Sequence, residues 1–206
     1  TPVGYVIDLL AAIPSVVYGA WGMTFLASSL VPAYAWLNKY LGWIPLFGGE
    51  ASNTGRTILT SGIVLSVMIL PIITSLCREI FVQTPKLHEE AALALGATRW
   101  EMIRMTVFPF ARAGIISSIM LGLGRALGET MAVTLVLSPG IFSLSLISSG
   151  HNATIPSEIA LNFPEAFGMR QNELIAAGLM LFIITLVVNM LARWIVSRHK
   201  EFSGAN

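Results

Sequence analysis

Residues 122–130 read GLGRALGET, and they place Arg125 and Glu129 inside a long apolar run. An ionisable side chain at the centre of a bilayer costs roughly 2.5–3.5 kcal/mol on insertion scales, so a run that keeps two of them is a site of function or of tight pairing. The surrounding composition decides that the setting is a membrane. Of 206 residues, 55% are hydrophobic and only 11% charged, and the mean hydropathy is +0.76. A soluble domain of this length carries about a quarter charged residues.

About 20 residues without a charge are needed to cross roughly 30 Å of hydrocarbon as a helix. Four segments meet that need. The first lies in the uncharged interval 9–38, with its apolar core near 8–30 and Pro14 inside it as a kink or interruption. The second covers 57–77, the third 113–137, broken only by Arg125 and Glu129, and the fourth 174–192. The expected fold is therefore an all-α membrane bundle. Lys and Arg accumulate on the cytoplasmic side of such bundles. Arg78, Lys86, Arg99, Arg104, Arg112, Arg193, Arg198 and Lys200 make eight on one side, against Lys39, Arg56 and Arg170 on the other. The connection between spans two and three and the C-terminal tail are thus expected inside, and residues 31–56 and 139–172 outside.

A net charge of +1 gives no reason to expect a nucleic-acid partner, and the lone Cys77 cannot close an intramolecular disulfide. His88, His151 and His199 are scattered, without the spacing of metal ligands, so no metal site is expected. No basic n-region with a short apolar core opens the chain at Thr1, so no secretory signal peptide is read there. The spacing of Gly122, Gly124 and Gly128 differs from a dinucleotide fingerprint, and no Walker-type loop occurs, so nucleotide hydrolysis is not expected in this chain. Paired catalytic aspartates and a serine with a base are likewise missing from the spans, which argues against an intramembrane enzyme.

Arg125 and Glu129 stand four apart, about 6 Å along one face of a continuous helix, and can pair there. Gly124 and Gly128 give a G-x-x-x-G spacing that permits close helix packing and would carry the charges into a bundle interior or a water-filled path. One reading is a salt bridge that only pins the helix. The other uses the permanent charge and planar five-donor fork of Arg125 to bind a passing oxyanion. Pro14, Ser15 and Tyr18 are secondary candidates for lining such a path.

The loop at 86–109, KLHEEAALALGATRWEMIRMTVFP, reads as a helix, a stop at Gly96 and a second amphipathic helix. Thr98 can cap that second limb, with Glu101 in the capping-box position. The run Glu90-Ala91-Ala92, three residues, then Gly96 resembles the EAA loop of permease subunits of ATP-binding-cassette importers. Thr106 and Phe108 depart from the aliphatic pair that precedes the proline in the usual pattern. The resemblance implies a cytoplasmic coupling loop at 84–109, in which Glu90, Ala91, Ala92 and Gly96 contact an ATPase subunit that alone binds ATP and Mg.

GLGRALGETMAV is similar to the signature of PstC-type permeases of bacterial phosphate importers, as are LAAIPS with Tyr18-Gly19, and LGWIPLF at 41–47. This resemblance implies the type I, MetI-like permease fold over 1–206, a multi-pass place in the inner membrane, and Arg125 and Glu129 as phosphate-pathway residues. It also implies a PstA-type second permease, an ATPase dimer and an extracytoplasmic phosphate-binding protein as partners, without a cofactor on this chain. Family members have about six spans, so the first one or two are expected to be missing here. A permease for molybdate, tungstate or sulfate is the alternative, because related importers share the Arg-Ala-x-Gly-Glu core.

Overall fold

The computed structural model describes residues 2–137, 139–140, 142–150 and 152–197, and among them it is all-helical. Helix α1 covers Pro2–Ala11. Pro14 then stands in an extended conformation (φ −59°, ψ 140°) and opens α2, Ser15–Trp21. A π turn at Gly22–Leu26 leads into α3, Ala27–Leu41, making one apolar helix of 27 residues from Ser15 to Leu41. The first span therefore begins later than the expected 8–30 and runs to Leu41. Proline cannot donate to the preceding turn, so Pro14 separates α1 from the span rather than kinking it. Lys39 sits in the last turn of α3, where a cation complements the exposed carbonyl ends.

Helix α4, Ile58–Val82, extends the second expected span by five residues beyond Cys77. It carries Arg78 within its helical length, 3.7 Å from Asp8 of α1, whose Oδ1 also accepts from the Ser75 hydroxyl at 2.7 Å. Helix α5, Lys86–Ala94, ends at Leu95, and Gly96 turns the chain with φ +86°, a region that favours glycine. Thr98 and Glu101 close a reciprocal capping box at the start of α6, Arg99–Met102.

A π turn, Ile103–Val107, then joins α6 to α7, Phe108–Gly128. The second limb of the loop is thus no separate helix. It is the first part of a 30-residue span, Arg99–Gly128, and the π turn immediately precedes Pro109, whose missing N–H disturbs the regular ladder.

The third span also ends earlier than the expected 137. Glu129 and Thr130 leave the helix, the Thr130 hydroxyl donates to the Gly128 carbonyl at 3.2 Å, and a short helix α8 forms at Met131–Val136. In the following loop, Asn152 adopts φ 68° and ties down Ser143 through both its backbone N–H (2.9 Å) and its carbonyl (2.7 Å). Helix α9, Ile155–Asn162, starts from a capping box between Thr154 and Ser157. Helix α10, Met169–Ser197, is the fourth span.

The chain folds as two compact units. Among the described residues, one comprises 2–11, Leu70–Arg125 and 184–197; the other lies within Ala12–Ile69 and Ala126–Ile183. In the first, Gly114 packs so closely that a Cβ there would stand 2.8 Å from Ile80 Cδ1, and the Phe81 and Phe108 rings meet edge to face at 6.1 Å. In the second, Tyr18, Val64, Met68, Ala132 and Val136 form a buried core, with Gly19 against Ala132. Tyr34 is also fully enclosed there, its hydroxyl 2.6 Å from that of Thr60. The most apolar stretch of α10 is only 6% buried, an apolar surface suited to lipid or another membrane helix.

Candidate functional site

Arg125 lies near the end of α7, in the first unit, exposed and lining a groove of about 1170 Å³ between α7 and α10. The α7 wall supplies Ser117, Met120, Leu121, Gly124 and Arg125, which recur at helical spacing and therefore form one stripe. The α10 wall supplies Leu186, Asn189, Met190, Arg193 and Ser197 in the same manner. No carboxylate is among the described residues that line the groove.

Glu129 belongs to the second unit and serves α8. Its Oε1 accepts the Ala132 backbone N–H at 3.2 Å, so the carboxylate caps the helix start, where backbone N–H groups lack partners. The helix ends at Gly128, so one continuous helix does not carry both Arg125 and Glu129, as the four-residue spacing had suggested. The Glu129 cap on α8 competes with continuation of α7 through Glu129, and the cap prevails.

At the other end of α8, the Arg56 guanidinium donates to the carbonyls of Leu135 (3.1 Å), Val136 (3.4 Å) and Leu137 (3.3 Å). A cation at a helix C-terminus and a carboxylate at its N-terminus both match the helix dipole. Arg56 was legible in sequence only as a loop cation. Its partners lie 79 to 81 residues away, beyond any local signal.

Gly124 and Gly128 keep open faces: a Cβ added at either would meet no heavy atom within 4 Å. The close helix approaches are made instead at Gly19, Gly22 and Gly114. Tyr18 is buried in the core of the second unit. Among the described residues, no group of three or more His, Cys, Asp or Glu is placed to hold a metal ion; His151 and His199 lie outside them.

The expected coupling residues fall on one projecting corner. Glu90, Ala91 and Ala92 lie on α5, which buries none of its residues, and Gly96 forms the turn after it. Leu95 is 90% exposed and Trp100 66%, a large apolar tip without cover from its own chain.

A model of the family described as "Binding-protein-dependent transport system inner membrane component" matches residues 2–201. The phosphate transport system permease protein PstC 2 of Mycobacterium tuberculosis is 50% identical over 199 residues, covering 93% of this chain and 60% of that protein. The PstC protein of Mycobacterium leprae is 50% identical over 192 residues, covering 91% and 60%. That of Xylella fastidiosa is 41% identical over 208 residues, covering 99% and 64%. The chain thus spans less than two thirds of the length of these relatives. With four helices among the described residues long and apolar enough to cross a membrane, and a family match over nearly its whole length, the chain belongs to the inner-membrane components of binding-protein-dependent transport systems.

Proposed function

We propose that this chain is the permease subunit of an ATP-driven importer that moves inorganic phosphate across the cytoplasmic membrane. The observation that carries the reading is Arg125, a permanent cation on a membrane-spanning helix, opening into a groove whose described lining holds no carboxylate. The relatives' names support the substrate: they are phosphate transport system permeases. Nothing observed favours molybdate, tungstate or sulfate.

In this reading Arg125 engages phosphate oxygens through its planar fork, exchanging the ion's water shell for fixed donors. Glu129 contributes by holding α8 immediately after the arginine, and its charge limits how tightly an anion is retained nearby. The open face of Gly128 packs against a second, PstA-type permease, because small residues let membrane helices approach closely, while Gly124 lines the Arg125 groove. The exposed corner formed by Glu90, Ala91, Ala92 and Gly96 seats in an ATPase subunit, where ATP and Mg are bound and hydrolysed. An extracytoplasmic phosphate-binding protein delivers the ion. Competition uptake in the reconstituted importer tests the substrate: excess unlabelled phosphate should suppress labelled phosphate uptake, and excess sulfate or molybdate should not.

A further inference from the structure

The groove that receives Arg125 contains a second arginine, and we infer that Arg193, with Asn189, forms a second phosphate station on the cytoplasmic side of Arg125. The inference rests on the phosphate-permease reading. Its geometry is that of the α7–α10 groove, in which Arg125, Arg193, Asn189, Ser117 and Ser197 line one space of about 1170 Å³.

Asn189 and Arg193 are four residues apart on α10, hence on one face and separated by about 6 Å of helix rise. Ser117 lies eight residues before Arg125 on α7, about 12 Å along that helix. Consecutive spans cross in opposite directions, and the basic loop before α7 and the basic tail after α10 mark the cytoplasmic side. Ser117 and Arg193 therefore both lie on the cytoplasmic side of Arg125. The donors suited to an oxyanion are two permanent cations and an amide, while the Ser117 hydroxyl donates to the Ala113 carbonyl at 2.9 Å and that of Ser197 to the Trp194 carbonyl at 2.8 Å; no carboxylate among the described lining residues repels the ion.

A single cation would bind an anion and hold it. Conduction needs binding strong enough to enter and a further site to which the ion can leave. Arg193 supplies that second attraction, so phosphate passes from Arg125 to Arg193 before release. An arginine that merely anchors the end of a span in the headgroup region needs its charge for insertion and has no role in ion flux.

The test uses the complete importer with Cys77→Ser, which removes the chain's only cysteine, and Arg193→Cys, reconstituted in phosphatidylcholine vesicles with loaded binding protein and ATP. Labelled inorganic phosphate uptake should fall about tenfold, the loss expected for one charge-assisted contact, at normal complex yield. Reaction with aminoethyl methanethiosulfonate, which restores a positive charge, should recover most of the uptake; the sulfonatoethyl reagent should not. Arg193→Lys should retain most of it. Wild-type uptake by Arg193→Cys, or equal recovery with both reagents, would overturn the inference. So would a defect seen only when phosphatidylglycerol is present, since the groove would then hold a lipid headgroup. The underlying reading fails separately, if the importer with Arg193 intact carries no phosphate or if Arg125→Gln carries it normally.

Discussion

Arg56 and Glu129 hold opposite ends of the same six-residue helix: the Glu129 carboxylate accepts the Ala132 N–H at 3.2 Å, and the Arg56 guanidinium covers the carbonyls of 135–137. A helix this short is not stable by itself. It persists through its two capped ends and through packing on α2, where Ala132 and Val136 join Tyr18 in the core. The segment directly after GLGRALG is therefore fixed by contacts from distant parts of the sequence.

Arg56→Ala should lower the stability of the purified complex by about 1–3 kcal/mol, because up to three carbonyls lose a charged donor. Thermal unfolding in detergent measures the loss. Arg56→Lys should recover only part of it, since an ammonium lacks the spread of donors that reaches three successive carbonyls.

Glu129 has a capping role and a charge, and two substitutions separate them. Glu129→Gln keeps an oxygen acceptor for Ala132 and should fold like wild type, with any change in uptake reporting the charge. Glu129→Ala removes the cap as well and should cost about 1 kcal/mol in unfolding measurements.

Glycine substitutions should divide by face. A Cβ at Gly19 would stand 2.8 Å from Ala132 Cα, a backbone atom that cannot swing aside, so Gly19→Ala should destabilise the chain by about 1–3 kcal/mol. A Cβ at Gly128 meets nothing within 4 Å. Gly128→Leu should leave the folding of this subunit unchanged and reduce its co-purification with the proposed second permease.

The exposed corner at Glu90 and Gly96 is the proposed contact with the ATPase subunit. Gly96 holds φ +86°, so Gly96→Val should strain the turn by about 1–2 kcal/mol and misdirect α5. Both it and Glu90→Lys should reduce co-purification with the ATPase subunit or its stimulated hydrolysis. Insertion of the four spans, followed by cysteine accessibility, should be unaffected.

Much of this architecture was legible because local chemistry dictated it. The long uncharged intervals identified the spans, and the Thr98–Glu101 pattern and Gly96 identified the elbow that the capping box and positive φ now display. Apolar runs do not show where a helix stops: the hydrophobic pattern alone places Pro14 within a span and continues the helix past Gly128 through Glu129, whereas the structure starts the span at Ser15 and ends α7 at Gly128. Capping by Glu129 left no sign in the hydrophobic pattern, because the GxxxG spacing and the i, i+4 charges both fit an uninterrupted helix. The Arg56 contacts and the meeting of α7 with α10 at Arg193 depend on tertiary structure, and Arg193 alone reads as an ordinary span-end cation.

The most direct measurement is ATP-driven uptake of labelled phosphate by the reconstituted importer carrying Arg125→Gln, beside wild type and Arg125→Lys. Loss of uptake in Arg125→Gln, with partial activity in Arg125→Lys and normal assembly of both, is the expected result. Uptake at the wild-type rate in Arg125→Gln would contradict the assignment of Arg125 to the phosphate path.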